Sequence, residues 1–289
     1  MLKKTTQYNN DKIITIKKNK STKNKIIDDE EFINLIKDTN NIDLNKDKKK
    51  IKNKNLNIFA IKIQKIYRGY IYRLKHLPLI LYILQNYLKN QFVKLINKTK
   101  DGRINSVLDE DEIINLLEKK YKNYIERPKE RNWFDIIIKD YYYGWIPVNI
   151  KTSKCSTSDN TGNLAMCVYS YTNEKLELNL DKTYNNGEMS KILIEKLKKK
   201  EYNKLNKKDY YFIVIDKNNT QEIIINSVKG LTLLTPNINN LPFQVRWDKN
   251  KIFEYKKINK SVKQFIDCLK KPKPSWSETF LSQIRNINI

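Results

Sequence analysis

The sequence predicts an α/β fold from about residue 100 onward, in which helices flank a central sheet. Three observations support this fold class. Amphipathic patterns with apolar residues three and four positions apart alternate with short runs rich in β-branched residues. These runs are bounded by Gly, Pro, Asn and Asp, which favour turns. Two of the runs lie close enough along the chain to form a hairpin.

Changes in composition divide the 289 residues into three segments. Residues 1–56 are rich in Lys, Asn and Asp and predict a largely disordered arm. Residues 57–100 contain nine Lys and Arg but no Asp or Glu, and their apolar spacing predicts a basic helical segment. Pro78 should divide that segment into two helices. Residues 101–289 then form the domain that contains the sheet.

The domain is expected to begin with an amphipathic helix over about residues 108–125. Ser106 is positioned as its N-cap, and the acidic residues 109–112 would complement the positive end of the helix dipole. A hairpin follows. Beyond it the pattern predicts two helices, at residues 162–171 and 188–202. It also predicts three strands, at residues 210–216, 222–227 and 243–247. The chain should end in further helices.

The formal net charge of +25 and the pI near 9.7 favour a polyanionic partner. Nucleic acid is the default, while membrane surfaces and acidic proteins of the calmodulin type are alternatives. Part of the lysine content is also what an AT-rich genome produces. Three cysteines and a single histidine, His76, exclude a zinc site of ordinary spacing. They also exclude a catalytic mechanism that needs two histidines.

The sparse, odd number of cysteines is typical of a reducing intracellular compartment. The first dozen residues are polar and do not resemble a signal peptide. The apolar run at residues 77–88 is too short to span a bilayer, and polar residues interrupt it. We therefore expect a soluble intracellular protein with no membrane partner.

The hairpin contains the residues that are candidates for catalysis. Asp135 precedes the β-branched residues 136–138, and Gly144 can adopt the positive φ that the turn needs. If the turn centres near residue 142 or 143, Asp135 lies across from residues 149–151, and Asn149 and Lys151 share one face of their strand. A carboxylate beside a lysine suits a metal-dependent phosphodiesterase, because the carboxylate holds a divalent cation and the lysine orients or activates water. The alternative is a surface strand with a solvated lysine.

Several short motifs occur in a characteristic order: DGRINS at residues 101–106, PVNIKTS at 147–153, TSDN at 157–160 and LPFQVRW at 241–247. Together they make the region from Asp101 to about Ile289 resemble type II restriction endonucleases of the PD-(D/E)xK superfamily. The resemblance covers roughly two-thirds of the chain. It implies that the sheet is mixed and that the protein hydrolyses phosphodiester bonds of double-stranded DNA with Mg²⁺, cutting at specific sites.

The resemblance also implies roles for individual residues. Asp135 would be the metal-binding aspartate and Lys151 the catalytic lysine. The backbone carbonyl of Ile150 would supply another oxygen to the metal. Glu110, or failing that Glu112, would be the acid that a helix adds to the site. Enzymes of this type usually act as dimers, so a homodimer is expected by analogy.

One position departs from the family pattern. Asn149 stands where the (D/E)xK motif has an acid. Its side-chain oxygen can still ligate Mg²⁺, but it brings no charge, so another acid, Glu110 or Asp159, would have to compensate. The alternative is a non-catalytic protein that keeps the nuclease fold and binds nucleic acid or calmodulin.

A second motif lies in the basic segment. IQKIYRGYIYR, from Ile63 to Arg73, fits the pattern IQxxxRGxxxR and so resembles calmodulin-binding IQ helices. A basic amphipathic helix of this kind offers apolar side chains to a groove and arginines to its acidic rim. The alternative is a helix that packs on the domain or follows DNA phosphates.

Overall fold

A mixed five-stranded sheet organises the chain in the computed structural model, which describes residues 60–65, 67–69, 75–91, 93, 95, 102–129, 132–204, 208–237, 242–271 and 278–288. In spatial order its strands are β1 (Ile125–Glu126), β2 (Ile136–Asp140), β3 (Gly144–Ser153), β5 (Tyr211–Asp216) and β6 (Asn219–Ser227). Neighbouring strands are antiparallel except β3 and β5, which run parallel. Two further strands, β4 (Ser158–Asn160) and β7 (Gln244–Arg246), form a separate antiparallel pair. The predicted α/β class with a mixed sheet is confirmed.

Six helices with defined bounds accompany the strands in this part of the chain. They are α1 (Leu79–Asn90), α2 (Gly102–Tyr121), α3 (Leu164–Tyr171), α4 (Asn186–Lys198), α5 (Ile258–Leu269) and α6 (Glu278–Arg285). Short 3-10 turns follow β6 and β7. Within the described ranges, no helix is both long enough and apolar enough to cross a membrane.

The alternation of side chains along the strands builds a core on each face of the sheet. On β3, Val148 and Ile150 point into a core shared with α1 and α2. On β5, Phe212 and Val214 point to the opposite face, where they pack among residues of the helices from α3 to α6. Helices therefore cover both faces of the sheet.

Helix α1 belongs to this fold, although the predicted domain began only at residue 101. Leu81, Leu84 and Leu88 are fully buried in the core that α1 shares with the sheet. Their spacing of three and four residues places them on one helix face, so burying that face fixes α1 on the domain. The break predicted at Pro78 is confirmed, because α1 starts at Leu79. By its contacts the chain divides into residues 1–67 and residues 68–289.

The predicted arm of residues 1–56 lies outside the described residues. Of the predicted IQ-like motif, residues 63–65 and 67–69 are described and are helical, whereas 66 and 70–73 are not described.

Helix α2 begins earlier than predicted. It runs from Gly102 to Tyr121, so Ser106 lies inside the helix and is not its N-cap. The acidic residues 109–112 consequently lie beyond the first turn, where the effect of the helix dipole has largely decayed. No proline interrupts residues 102–121, so helical hydrogen bonding can extend back to Gly102.

Downstream, the predicted strands and helices are present with shifted ends, and the short strand β4 is an addition that the sequence analysis did not predict. The basic helix α4 ends at Lys198 and not near residue 202. Lys200 adopts a positive φ of 55°, and the N–H of Glu201 returns to the carbonyl of Lys196. A left-handed residue at this position terminates a helix.

The hairpin forms in the predicted register. Ile136 pairs with Val148, residues 141–143 form the turn, and Gly144 has a φ of 70°. This register places Asp135, immediately before β2, opposite Asn149.

Candidate active site

The candidate site forms where β3 extends past the end of β2. The last pair between the two strands is Ile136 with Val148, and the backbone N–H of Asp135 still reaches the Val148 carbonyl. Residues 149–153 of β3 continue for five more positions and pair only with β5 among the described residues. The N–H groups of Ile150 and Thr152 therefore face an open edge, where buried polar groups need other partners.

Two carboxylates supply those partners. The N–H of Ile150 donates to Asp135 Oδ2 at 2.8 Å, and the N–H of Thr152 donates to Glu110 Oε1 at 3.2 Å. Positions two residues apart on a strand are about 7 Å apart, so the two carboxylates lie side by side along the edge. Because β2 ends before β3 does, Asp135 from the loop before β2 and Glu110 from α2 both reach the uncovered edge of β3.

Asn149 contacts Asp135 directly. Its Nδ2 donates to Asp135 Oδ2 at 2.6 Å, so this oxygen accepts from both the Asn149 side chain and the Ile150 backbone. The other carboxylate oxygen, Asp135 Oδ1, has no hydrogen bond within the described part of the chain. Asn149 Oδ1 is itself buried and has no hydrogen-bond partner there. The hydrogen bond from Asn149 therefore orients the Asp135 carboxylate and leaves Asp135 Oδ1 available to a ligand.

Lys151 follows Asn149 on the same face of β3 and is partly buried. Its positive charge lowers the pKa values of Asp135, Glu110 and Asp159. Among the residues that the structure describes, its ammonium group is within ion-pairing distance of none of them. The charge of Lys151 therefore acts on three carboxylates while forming an ion pair with none of them in the described structure.

Burial dominates the electrostatics of the two edge carboxylates. Loss of hydration raises the pKa of Glu110 from 4.5 to about 7, although Lys151 and the Thr152 N–H oppose this. Burial likewise raises the pKa of Asp135 from 3.8 to about 6, against the effects of the Ile150 N–H and Lys151. Near neutral pH, a cation bound at this edge would favour the charged form of both groups.

Asp159, a candidate for the compensating acid, comes from β4. Its Oδ2 accepts a hydrogen bond from the indole N–H of Trp247 at 3.0 Å, and Trp247 is fully buried. Burial raises the pKa of Asp159, while the charge of Lys151, the Trp247 indole N–H and the charge of Lys217 lower it. The carboxylate is thus fixed by a rigid donor near the lysine of the site.

Glu112 does not share this location with Glu110. Two residues along an α-helix correspond to a rotation of about 200°, so the two side chains leave α2 in nearly opposite directions. Glu110 is the one that reaches Thr152. Of the two predicted helix acids, the structure brings only Glu110 to the edge.

The oxygen atoms of the site can be compared with the ligands that Mg²⁺ prefers. Among the described residues, no three Asp, Glu, His or Cys side chains form a group that could hold a metal. Asp135 and Glu110 each keep one oxygen free of hydrogen bonds within those residues, and the Ile150 carbonyl points to the same edge as its N–H. Mg²⁺ is commonly held by one or two carboxylates with water completing its coordination. The residues therefore fit such an ion and not an all-protein cage.

The sequence prediction missed one member of the site, Lys217. Lys217 follows β5 directly, and its Nζ donates to Ser106 Oγ on α2 at 2.6 Å. The charge of Lys217 lowers the pKa values of Glu110 and Asp159. The parallel pairing of β3 with β5 brings the carboxyl ends of both strands together, and this pairing would have identified Lys217.

Comparisons of the chain with protein-family models, with curated proteins and with solved structures give no match. The geometry and chemistry of the site are therefore the basis for assigning a function.

Proposed function

We propose that this protein is a Mg²⁺-dependent endodeoxyribonuclease with a restriction-endonuclease-like fold, which hydrolyses double-stranded DNA at specific sites. One observation supports this more than any other. Asp135 and Glu110 accept the N–H groups of Ile150 and Thr152 on the open edge of β3. These two residues flank Lys151, whose charge lowers the pKa values of both carboxyl groups. The order of α2, the β2–β3 hairpin, α3 and the parallel strand β5 agrees with such a domain.

Each residue has a distinct task in this proposal. Asp135 and Glu110 hold the cation through their free oxygens, with the Ile150 carbonyl beside them. Mg²⁺, when bound, supplies Lewis-acid chemistry and lowers the pKa of water. Asn149 keeps Asp135 oriented through its 2.6 Å hydrogen bond. Lys151 contacts a phosphate oxygen and stabilises the negative charge that grows as water attacks phosphorus in line.

Charge supports DNA as the substrate. The net charge of +25 favours binding to a polyanion, and the site combines acids for a cation with lysines for phosphate. The acid that the family motif would place at position 149 is replaced in this proposal by Glu110 and Asp159, which both lie near Lys151. A homodimer that cuts both strands stays a prediction by analogy.

The test is incubation of the purified protein with supercoiled plasmid and Mg²⁺, followed by electrophoresis. We expect discrete fragments that EDTA prevents. A Mg²⁺-dependent smear would support a nuclease but contradict site specificity. Intact plasmid under conditions where the protein binds DNA would contradict the nuclease and favour the rival, a non-catalytic nucleic-acid-binding protein.

Calmodulin binding through Ile63–Arg73 is a second candidate function. The described residues of the motif are helical, and more than half of the Tyr67 side chain is exposed. We expect a peptide of residues 57–78 to shift calmodulin in a native gel, and running the gel with and without calcium shows whether binding depends on it. A peptide with Arg68 and Arg73 replaced by alanine is the control. No shift in either condition would contradict this function.

A further inference from the structure

We propose that Lys217 is a second phosphate-binding residue of the site and contacts a phosphate next to the one that Lys151 contacts. The substrate would then be a polynucleotide strand held at successive phosphates, and not an isolated phosphodiester. This inference rests on the proposed function, because it places DNA at the same edge of the sheet.

The backbone fixes where Lys217 begins. β5 ends at Asp216, which is paired with Ser153 at the end of β3, and the N–H of Lys217 donates to the Ser153 carbonyl at 2.8 Å. Lys151 lies two residues before Ser153 on the neighbouring strand. From strand geometry, the Cα atoms of Lys151 and Lys217 are on the order of 10 Å apart. The two lysines therefore start from adjacent strands at one end of the sheet.

The ammonium group of Lys217 is anchored by one hydrogen bond and keeps further N–H donors. Its Nζ donates to Ser106 Oγ at 2.6 Å, and the side chain is partly buried between α2 and the sheet. A lysine ammonium group has three N–H donors. Across the described ranges, Lys217 makes no ion pair and no other side-chain hydrogen bond, so two donors are left for a ligand.

Lys217 and Lys151 act on the same acids without touching them. Both charges lower the pKa values of Glu110 and Asp159, yet neither lysine is in ion-pairing contact with a carboxylate in the described structure. Elsewhere this protein forms close ion pairs readily, as between Lys196 and Glu201 at 2.8 Å. Each ammonium group therefore keeps donors for a phosphate near the shared carboxyl ends of β3 and β5, where a DNA strand would meet them with successive phosphates.

A purely structural role is the alternative. In that case Lys217 would only offset the negative charge of Glu110 and Asp159, and its loss would change stability without changing the number of phosphates contacted. The salt dependence of DNA binding separates the two roles, because each neutralised phosphate contributes about −0.9 to the slope of log K against log salt concentration for duplex DNA.

The experiment measures binding of a labelled DNA duplex to the full chain by fluorescence anisotropy in EDTA, over a series of salt concentrations. We expect Lys217→Gln to weaken binding and to reduce the steepness of the slope by about 0.9. Lys217→Arg keeps the charge and should retain the wild-type slope. The matched control is Lys175→Gln, which removes an exposed lysine outside the site and should leave the slope unchanged.

Thermal melting of each variant shows whether it is folded, and Ser106→Ala provides a second perturbation should Lys217→Gln fail to fold. Removing the hydroxyl frees the ammonium group from its anchor, so we expect weaker binding in the same direction. A folded Lys217→Gln protein with wild-type affinity and slope would overturn the inference, as would a chain that does not bind duplex DNA. Since EDTA prevents cleavage, a Lys217-dependent slope in a protein that leaves plasmid intact would support the phosphate contact while contradicting the nuclease.

Discussion

Lys151→Ala is expected to abolish Mg²⁺-dependent cleavage of duplex DNA while leaving DNA binding largely intact apart from the one phosphate contact of Lys151. The charge of Lys151 acts on three carboxylates but forms an ion pair with none of them in the described structure, so in the proposed mechanism it meets the charge that develops on the substrate. Loss of one such preorganised donor typically lowers the rate by about 10²–10³-fold. Single-turnover cleavage measures the chemical step, and anisotropy measures binding separately.

Lys154→Ala is the matched control, since Lys154 is exposed and lies just beyond the end of β3. We expect it to cleave at close to the wild-type rate. Full cleavage by the Lys151→Ala protein would contradict the assignment of Lys151. An equal loss in both variants would instead indicate a general effect of removing positive charge.

Asp135→Asn and Glu110→Gln are expected to remove cleavage and cation binding while keeping the fold. An amide oxygen can still accept the N–H of Ile150 or Thr152, so each variant loses charge but keeps the hydrogen bond at the sheet edge. Cleavage should fall by at least about 10²-fold, in line with the loss of other electrostatic groups. Calorimetric titration with Mg²⁺ provides a readout that does not depend on activity.

The same two substitutions should change how stability depends on pH. Because the folded-state pKa values lie above the usual 3.8 and 4.5, the folded protein binds more protons than the unfolded chain between about pH 4 and 7. Stability from these groups therefore falls as pH rises through that window. A pKa displacement of this size corresponds to roughly 3 kcal/mol for each group.

Urea denaturation at pH 5 and pH 8 measures the effect. We expect the free energy of unfolding of the wild-type protein to fall by several kcal/mol more between these pH values than that of the double variant Asp135→Asn/Glu110→Gln. Mg²⁺ should restore part of the wild-type stability at pH 8, since it binds the charged folded form. Identical pH profiles for the two proteins would contradict the burial of these carboxylates.

The sequence predicted the hairpin well because its determinants are local. The β-branched runs, the turn and Gly144 fix the register, and the register alone brings Asp135 to Asn149. Glu110 required more than the sequence could supply. The choice between Glu110 and Glu112 depends on the rotation of α2 against the sheet, which packing determines.

Lys217 shows a different limit of local prediction. Its strand β5 pairs with β3 across an intervening stretch of more than 50 residues, and nothing in either strand's own pattern encodes that parallel partner. Ser106 was assigned to a helix cap for a related reason. Helix α2 starts at Gly102 because helical backbone hydrogen bonds extend to the N-terminal side of Ser106, and the presence of one possible capping residue does not reveal this.

The five residues by which β3 outruns β2 have a consequence for self-association. An unpaired strand edge can pair with a strand of another chain, because its free N–H and C=O groups offer donors and acceptors in alternation. At Ile150 and Thr152 the N–H groups of this edge already donate to the carboxyl groups of Asp135 and Glu110. Asp135 and Glu110 therefore occupy the two donors that an added strand would need at these positions, whether or not a substrate is present.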